Sequence, residues 1–381
     1  MRFSHIVLEN WRNFGHVEVP LQNRAFLIGP NASGKSNFLD AFRFLRDIAP
    51  PGGSFRNAVE SRGGVSRIRN FSARRYPDIA VEVTLSEGLD ETWRYRLVFN
   101  QDNVSRPFVK EERVWRGSNL LLNRPNEEDR QDEVRRYQTH LEQTSANRDF
   151  RDIASAFADV RYFHIVPQLV RDPERSIGRE NDPYGGDFLQ QIAQANKRTQ
   201  DARLSRIQEA LKVAVPQLSE LRFEVGERGE LHLKGKYSHW RPRGAWQDET
   251  DFSDGTLRLI GLLWALFEGD GPLLLEEPEL SLHPGIVRYL PQMMLRVQRS
   301  QKRAPRQILL STHSSDLLRD KGITADETLL FIPSTEGSEV RRGTSYHDAR
   351  MLLETTDLTV ADVLLPRTEP ENAQQLPLLG E

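Results

Sequence analysis

With 381 residues, 38% of them hydrophobic and 28% charged, the chain is long enough for one large or two ordinary domains, and its formal net charge of -3 means that any attraction to nucleic acid has to come from local patches. The lack of cysteine excludes a disulfide framework or a thiolate metal site and suits a reducing cytoplasm. No apolar run approaches the ~18 residues of a membrane span, and "MRFSHIVLEN" lacks the charge-then-apolar layout of an export signal, so a cytoplasmic protein without a membrane partner is expected.

In chain order, "RAFLIG" (24–29) is a short apolar run ending in glycine. "PNASGKSNFLDAFRFLRDIA" follows, with Phe38, Leu39, Phe42, Leu45 and Ile48 at helical spacing, which predicts strand, glycine loop and helix. Next, "IAVEVTLSEG", "WRYRLVFNQD" and "PFVKEERVWR" alternate apolar with polar residues and predict an antiparallel meander over 79–116. From about 120 to 245 the chain turns polar and is expected to be mostly helical, most clearly in "DFLQQIAQANKRTQDARLSRIQEALKVAV". "GTLRLIGLLWALFEG", "PLLLEE" and "RQILLSTHSSDLL" then read as helix, strand, and strand with loop, which restores a parallel α/β pattern. There is no internal repeat, and "PRTEPENAQQLPLLGE" has the Pro, Gln and Glu content of a disordered tail. The expected divisions are an N-terminal lobe at 1–119, an insert lobe at 120–250, the rest of the α/β core at 251–340, and a C-terminal helix and tail at 341–381.

Gly29, Pro30, Asn31, Ala32, Ser33, Gly34, Lys35 and Ser36 match the pattern GxxxxGK[ST] in full. The spacing has a cause: glycines at both ends let backbone N–H groups wrap a phosphate, and the helix that starts at the lysine points its positive dipole end there. Lys35 would neutralise the β- and γ-phosphates of ATP, Ser36 would ligate magnesium, and Asn37 continues the cradle into the helix. The alternative is a plain glycine turn before a helix, which the flanking strand and helix argue against.

"LLLEEPELSLHP" (273–284) places Glu276 and Glu277 after a buried-type strand, at the C-terminal sheet edge where ligands sit in open α/β folds. Glu276 is expected to hold magnesium and Glu277 to polarise the attacking water; the alternative is a pair of solvated surface charges. Nucleotide hydrolases usually carry aspartate at the first position. Magnesium keeps several waters, so one extra methylene can be absorbed by a shifted side chain or water.

Taken together, "FSHIVLENWRNFGHVEV", "FLIGPNASGKSNFLDAF", "FSDGTLRLIGLLWAL", "LLLEEPELSLHP" and "ILLSTHSSDLL" resemble, in order, the ABC-type ATPase heads of the RecF/SMC class, and more closely the stand-alone relatives of the OLD-family ATPase module. The resemblance runs over roughly 1–335, with 120–245 matching only in character. It implies an α/β P-loop NTPase head with an antiparallel β subdomain and a mostly helical insert. In such relatives a glutamate pair at the acid position is a familiar variant. The resemblance further implies that Ser253 and Gly255 of "SDGT" touch the γ-phosphate held by a second subunit, so that two chains clamp two ATP molecules as a homodimer. Read alone, "SDGT" before an apolar helix is an ordinary N-cap. His313 matches the switch histidine, Arg12 and Asn13 match a position near the nucleotide, and Gln168 is a candidate for the magnesium-sensing loop.

Two departures stand out. His283 occupies a position where transporter-type heads carry aspartate, and the stretch from Ser36 to Ser253 has no sustained heptads, so SMC-like arms are not expected. A C-terminal nuclease module of the OLD type is not expected either. For partners, "RNAVESRGGVSRIRNFSARR" (56–75) and "RVQRSQKRAPR" (296–306) are basic enough to meet DNA phosphates, although cations at a helix C-terminus also offset its dipole. The expected protein is a homodimerising, magnesium-dependent ATPase that acts on DNA or on a separately encoded nuclease or other effector, as in DNA repair or phage defence. The alternative is an ATP-binding regulatory or scaffold subunit that hardly hydrolyses; a transporter motor fits the N-terminal motif less well.

Overall fold

The computed structural model describes residues 1–73, 77–87, 91–175, 182, 184–238, 245–300 and 306–369. Contacts divide the chain into two units, 1–160 with 270–274 and 305–381, and 161–269 with 275–304. The described strands are β1 (Arg2–Trp11), β2 (Phe14–Pro20), β3 (Arg24–Ile28), β4 (Ile79–Glu87), β5 (Glu91–Gln101), β6 (Pro107–Arg116), β7 (Asn119–Arg124) and β8 (Arg161–Phe163). They continue with β9 (Leu218–Val225), β10 (Leu231–Tyr237), β11 (Ala245–Gln247), β12 (Leu273–Glu276), β13 (Ile308–Thr312), β14 (Thr328–Ser334) and β15 (Gly337–Arg342).

In the first unit the expected meander is present and larger than its sequence signal. β1 and β2 form a hairpin that joins β4 to β7, giving the antiparallel order β2-β1-β4-β5-β6-β7. On β1, Phe3, Ile6, Leu8 and Trp11 are fully buried. The irregular spacing of the first two follows from a bulge between Phe3 and His5, which breaks the two-residue alternation. A second sheet runs β15-β14-β3-β13-β12. β3 pairs in parallel with both β13 and β14, and Ala25 to Ile28 are all buried, as a strand covered on both faces requires. The helix Lys35–Ile48 follows β3 and buries Phe38, Leu39, Phe42, Leu45 and Ile48, the residues whose spacing predicted it.

The second unit corrects one expectation. The stretch 120–245 is helical only in part: helices Phe188–Gln194 and Lys197–Leu211 are followed by an antiparallel sheet in the order β11-β10-β9. The long helical run also breaks in two at Asn196, whose side chain accepts from Thr199 N at 2.9 Å and so starts a new helix. On β10, Gly235 fits where a Cβ would come within 2.7 Å of Leu218 and 2.9 Å of Phe252, so the small residue lets the sheet close on its core. Helix Asp254–Phe267, expected as a helix, is buried along most of its length. Most of the tail expected to be disordered, 370–381, lies outside the described residues, while Leu365–Thr368 forms a 3-10 turn. No described helix is long and apolar enough to cross a membrane.

Candidate nucleotide site

Within the first unit, the register Thr312↔Ile28 sets the ends of β13 and β3 side by side, so Gly29 and His313 leave the same sheet edge from adjacent strands. His313 is exposed there; beside it Thr312 Oγ1 accepts from Ser314 N at 3.0 Å, and Ser314 caps the next helix through Leu317 N. At the other end of the loop Gly34 has φ 98, a left-handed conformation natural to glycine, and gives helix Lys35–Ile48 no side-chain cap. The first-turn N–H groups of that helix are therefore directed at whatever occupies the loop. Lys35 is buried, its Nζ donating to Gly29 O at 2.8 Å and Pro30 O at 3.0 Å, whereas Asn31, Ala32 and Ser36 are exposed. Ser33 is fully buried, and its hydroxyl has no hydrogen-bond partner among the described residues.

The loop is held from outside by Asn13. Its Nδ2 donates to Ser33 O at 3.1 Å and to Ser338 Oγ at 2.8 Å, and its Oδ1 accepts from Asn37 Nδ2 at 2.8 Å. The amide lies so close to Gly34 that a Cβ there would be 2.2 Å from Nδ2. Asn37 thus spends its side chain on Asn13. Arg12 is likewise engaged, with Nη2 3.4 Å from Asp40 Oδ2 and Nη1 donating to Arg67 O. Burial alone would raise the Asp40 carboxyl, but Arg62, Arg43 and Arg12 around it hold it below the ordinary carboxylate value.

The remaining sequence-chosen residues fall in the second unit. Ser253 caps helix Asp254–Phe267, its Oγ accepting from Thr256 N at 3.2 Å, so the N-cap reading of "SDGT" is correct as local structure. Arg171, which sequence reasoning missed, brackets Ser253: it pairs with Asp254 at 2.7 Å and donates to Phe252 O at 2.6 Å. Gln168, one turn earlier in helix Pro167–Arg171, reaches the same Asp254 carboxylate at 3.5 Å. Gly255 packs on the loop after the acid pair, where a Cβ would be 2.6 Å from Ser281 O. Glu276 ends β12 and accepts from the Tyr162 hydroxyl. Glu277 has φ 43, a left-handed conformation costly for a side-chain-bearing residue. Burial pulls the Arg258 pKa down, and the charges of Asp254 and Glu277 oppose that. His283 caps the next turn, its Nδ1 accepting from Gly285 N at 3.0 Å.

The basic patches are less available than their composition suggests. The Arg62 side chain is buried, 2.9 Å from both Asp40 and Asp47, and Arg56 pairs with Glu60 at 2.7 Å. Arg306 is buried and donates to Gly271 O. Arg67 remains exposed, while Arg74, Arg75, Lys302 and Arg303 lie outside the described residues.

Comparison with known proteins places this geometry. Residues 24–320 match the family described as AAA domain, putative AbiEii toxin, type IV toxin–antitoxin system. The chain belongs to that family. This AAA-type ATPase also shares the fold of SMC heads: it is 14% identical to an SMC head bound to the C-terminal winged-helix domain of ScpA, covering 90% of this chain and 98% of that one at a TM-score of 0.58. An SMC head with an extended coiled coil, bound to the C-terminal domain of ScpA from Pyrococcus furiosus, is 11% identical, with 89% and 95% covered and a TM-score of 0.53. A 47-residue stretch is 49% identical to Endonuclease GajA of Bacillus cereus (strain VD045); it amounts to 12% of this chain and 8% of that relative. The resemblance to ABC/SMC-like and OLD-like ATPases is therefore correct, and a P-loop ATPase family implies nucleotide binding, usually with magnesium.

The residues present fit such a nucleotide. An uncapped helix start and an unpartnered buried hydroxyl suit a phosphate. Among the described residues no cluster of three His, Cys, Asp or Glu could hold a metal unaided. A hydroxyl and a carboxylate are hard oxygen donors that suit magnesium when phosphate and water complete its shell.

Proposed function

We propose that this ATPase homodimerises around ATP and magnesium, and couples ATP binding and hydrolysis to DNA or to a separately encoded effector such as a nuclease. The observation that carries the nucleotide half is the loop 29–36, with its uncapped helix start and orphan Ser33 hydroxyl. In this reading Gly29 to Asn37 cradle the β- and γ-phosphates, Lys35 neutralises them, and Arg12 supports the cradle through Asp40. Ser36 and Glu276 would hold magnesium, which offsets phosphate charge as it builds up in the transition state. Glu277 orients and polarises the attacking water, with His313 beside the γ-phosphate. Ser253 and Gly255 complete the site of the partner subunit, where the capped helix start offers N–H groups to the γ-phosphate. DNA contact through Arg67 and its neighbours, and a role in repair or phage defence, rest on the family and on local charge.

Two substitutions test the reading. Lys35→Ala is expected to abolish nucleotide binding, and Glu277→Gln to keep ATP and accumulate a dimer in size-exclusion chromatography. A Glu277→Gln protein that turned over at the native rate would refute the role of Glu277. Steady-state phosphate release with and without duplex DNA separates this function from that of an ATP-binding regulatory subunit with little turnover.

A further inference from the structure

The acid that ends β12 is a glutamate where an aspartate is usual, and its surroundings give a reason. Leu273, Leu274 and Leu275 are fully buried, so the backbone that presents Glu276 has little freedom. His164 Nδ1 lies 3.2 Å from Glu276 O and can donate to it in the tautomer protonated there. The Tyr162 hydroxyl donates to Glu276 Oε2. β8 is itself seated by the helix Asp254–Phe267: a Cβ at Gly261 would come within 2.9 Å of Phe163 and 2.0 Å of Ile165. With Phe163 turned to that helix, strand alternation turns Tyr162 the other way, toward the end of β12.

We propose that Tyr162 is a positioning residue for the magnesium-binding carboxylate, and that it sets the length of the acid at position 276. A carboxylate offers about four lone-pair sites, so a hydroxyl donor can orient it while other lone pairs face an ion. An aspartate on the same backbone would withdraw the carboxylate by one methylene, roughly 1.5 Å, and away from Tyr162. Partners that fix a ligating side chain commonly change metal affinity about tenfold or more when lost. The pair Tyr162 and Glu276 would therefore replace a lone aspartate as one unit, which is why a glutamate is compatible with a working site.

The inference rests on the reading of Glu276 as a magnesium ligand, and the test separates the two. A fluorescent ATP analogue is titrated at equilibrium over a range of magnesium concentrations and in EDTA, and melting temperatures are recorded with ATP in magnesium and in EDTA. Tyr162→Phe is expected to raise the magnesium concentration for half-maximal effect about tenfold, with affinity in EDTA unchanged. Glu276→Asp is expected to do the same alone and to add nothing in the Tyr162→Phe background. An unchanged magnesium requirement in Tyr162→Phe, or full additivity in the double variant, overturns the proposal. If Tyr162→Phe lowers the melting temperature of the nucleotide-free protein, Glu276→Asp carries the test alone, and an unaltered magnesium requirement overturns the proposal. Glu276→Ala with magnesium dependence intact overturns the ligand reading itself, and this inference with it.

Discussion

Asn13 offers the sharpest test of how the phosphate loop is held, because its three side-chain hydrogen bonds are divided among the loop, the following helix and β15. At about 1 kcal/mol net for each bond, Asn13→Ala should cost roughly 2–3 kcal/mol in all. The bond to Ser33 O is the one that fixes the loop, so about 1 kcal/mol of this should reach nucleotide affinity, a weakening of roughly fivefold. Asn13→Asp keeps the shape but sets an acceptor against Ser33 O and adds negative charge beside the triphosphate. A further penalty of about 1 kcal/mol brings its loss to roughly thirtyfold. Ser338→Ala removes only the 2.8 Å bond on the far side and should leave affinity within about twofold. Equilibrium titration with a fluorescent ATP analogue, alongside thermal melting, checks all three. Native affinity in Asn13→Asp, or an equal loss in Ser338→Ala, would refute the reasoning.

The second unit and the β6–β7 region make further predictions. Arg171→Ala should leave nucleotide binding to the cradle intact and weaken ATP-dependent dimerisation of a Glu277→Gln protein about fivefold. That corresponds to ~1 kcal/mol for a partly exposed ion pair, and sedimentation at graded protein concentrations measures it. For pH, Arg124 is buried between Glu112 at 3.0 Å and Asp129 at 2.7 Å, with His140 close by. Burial and the Arg124 charge lower His140 to about 4 from 6.5, so the unfolded chain binds more protons between these values and stability falls as pH drops through that window. Asp129, for which burial is outweighed by Arg124 and Asn126 N–H, is held at about 2, so its contribution persists above 3.8 and is lost as pH falls toward 2. Urea midpoints should decline in two stages on acidification, and His140→Asn should remove the upper one.

Much of the candidate site could be read from the chain because its motifs are local. A glycine loop between strand and helix, and an acid pair after three leucines, put chemistry within a few residues of the structure that presents it. What the sequence hid was pairing across long separations. Asn13 meets Ser338 across 325 residues, and Tyr162 meets Glu276 across 114, with no periodicity to announce either. The sheet β9 to β11 was hidden for a related reason. Its strands carry charges at alternate positions, such as Glu220, Arg222, Lys234 and Lys236, so a half-buried sheet passed for a polar helical stretch. Composition also overstated free charge: Arg62 counted as basic surface, yet it neutralises Asp40 and Asp47.

The left-handed residues show where those long-range partners matter. The described non-glycine residues with positive φ are Asn10, Arg12, Ala32, Ser105, Glu277 and Ser281, and Arg12, Ala32 and Glu277 are among the residues that the proposed function uses. Each such conformation costs on the order of 1–3 kcal/mol and persists only where the surroundings over-determine it. For Arg12 they do: its N–H donates to Ile68 O at 2.5 Å while its guanidinium is held by Asp40 and Arg67 O. At Ser281 the carbonyl lies where a Cβ on Gly255 would come within 2.6 Å, so the glycine makes room for that turn. Arg12 also opens the two-residue turn between Trp11 and Phe14, where a positive φ at the first position suits the twist of the hairpin. Glycine would suit each φ and lose the side chain. At Arg12 and Glu277 that loss matters, since the guanidinium holds Asp40 and the carboxylate is the one proposed to polarise water.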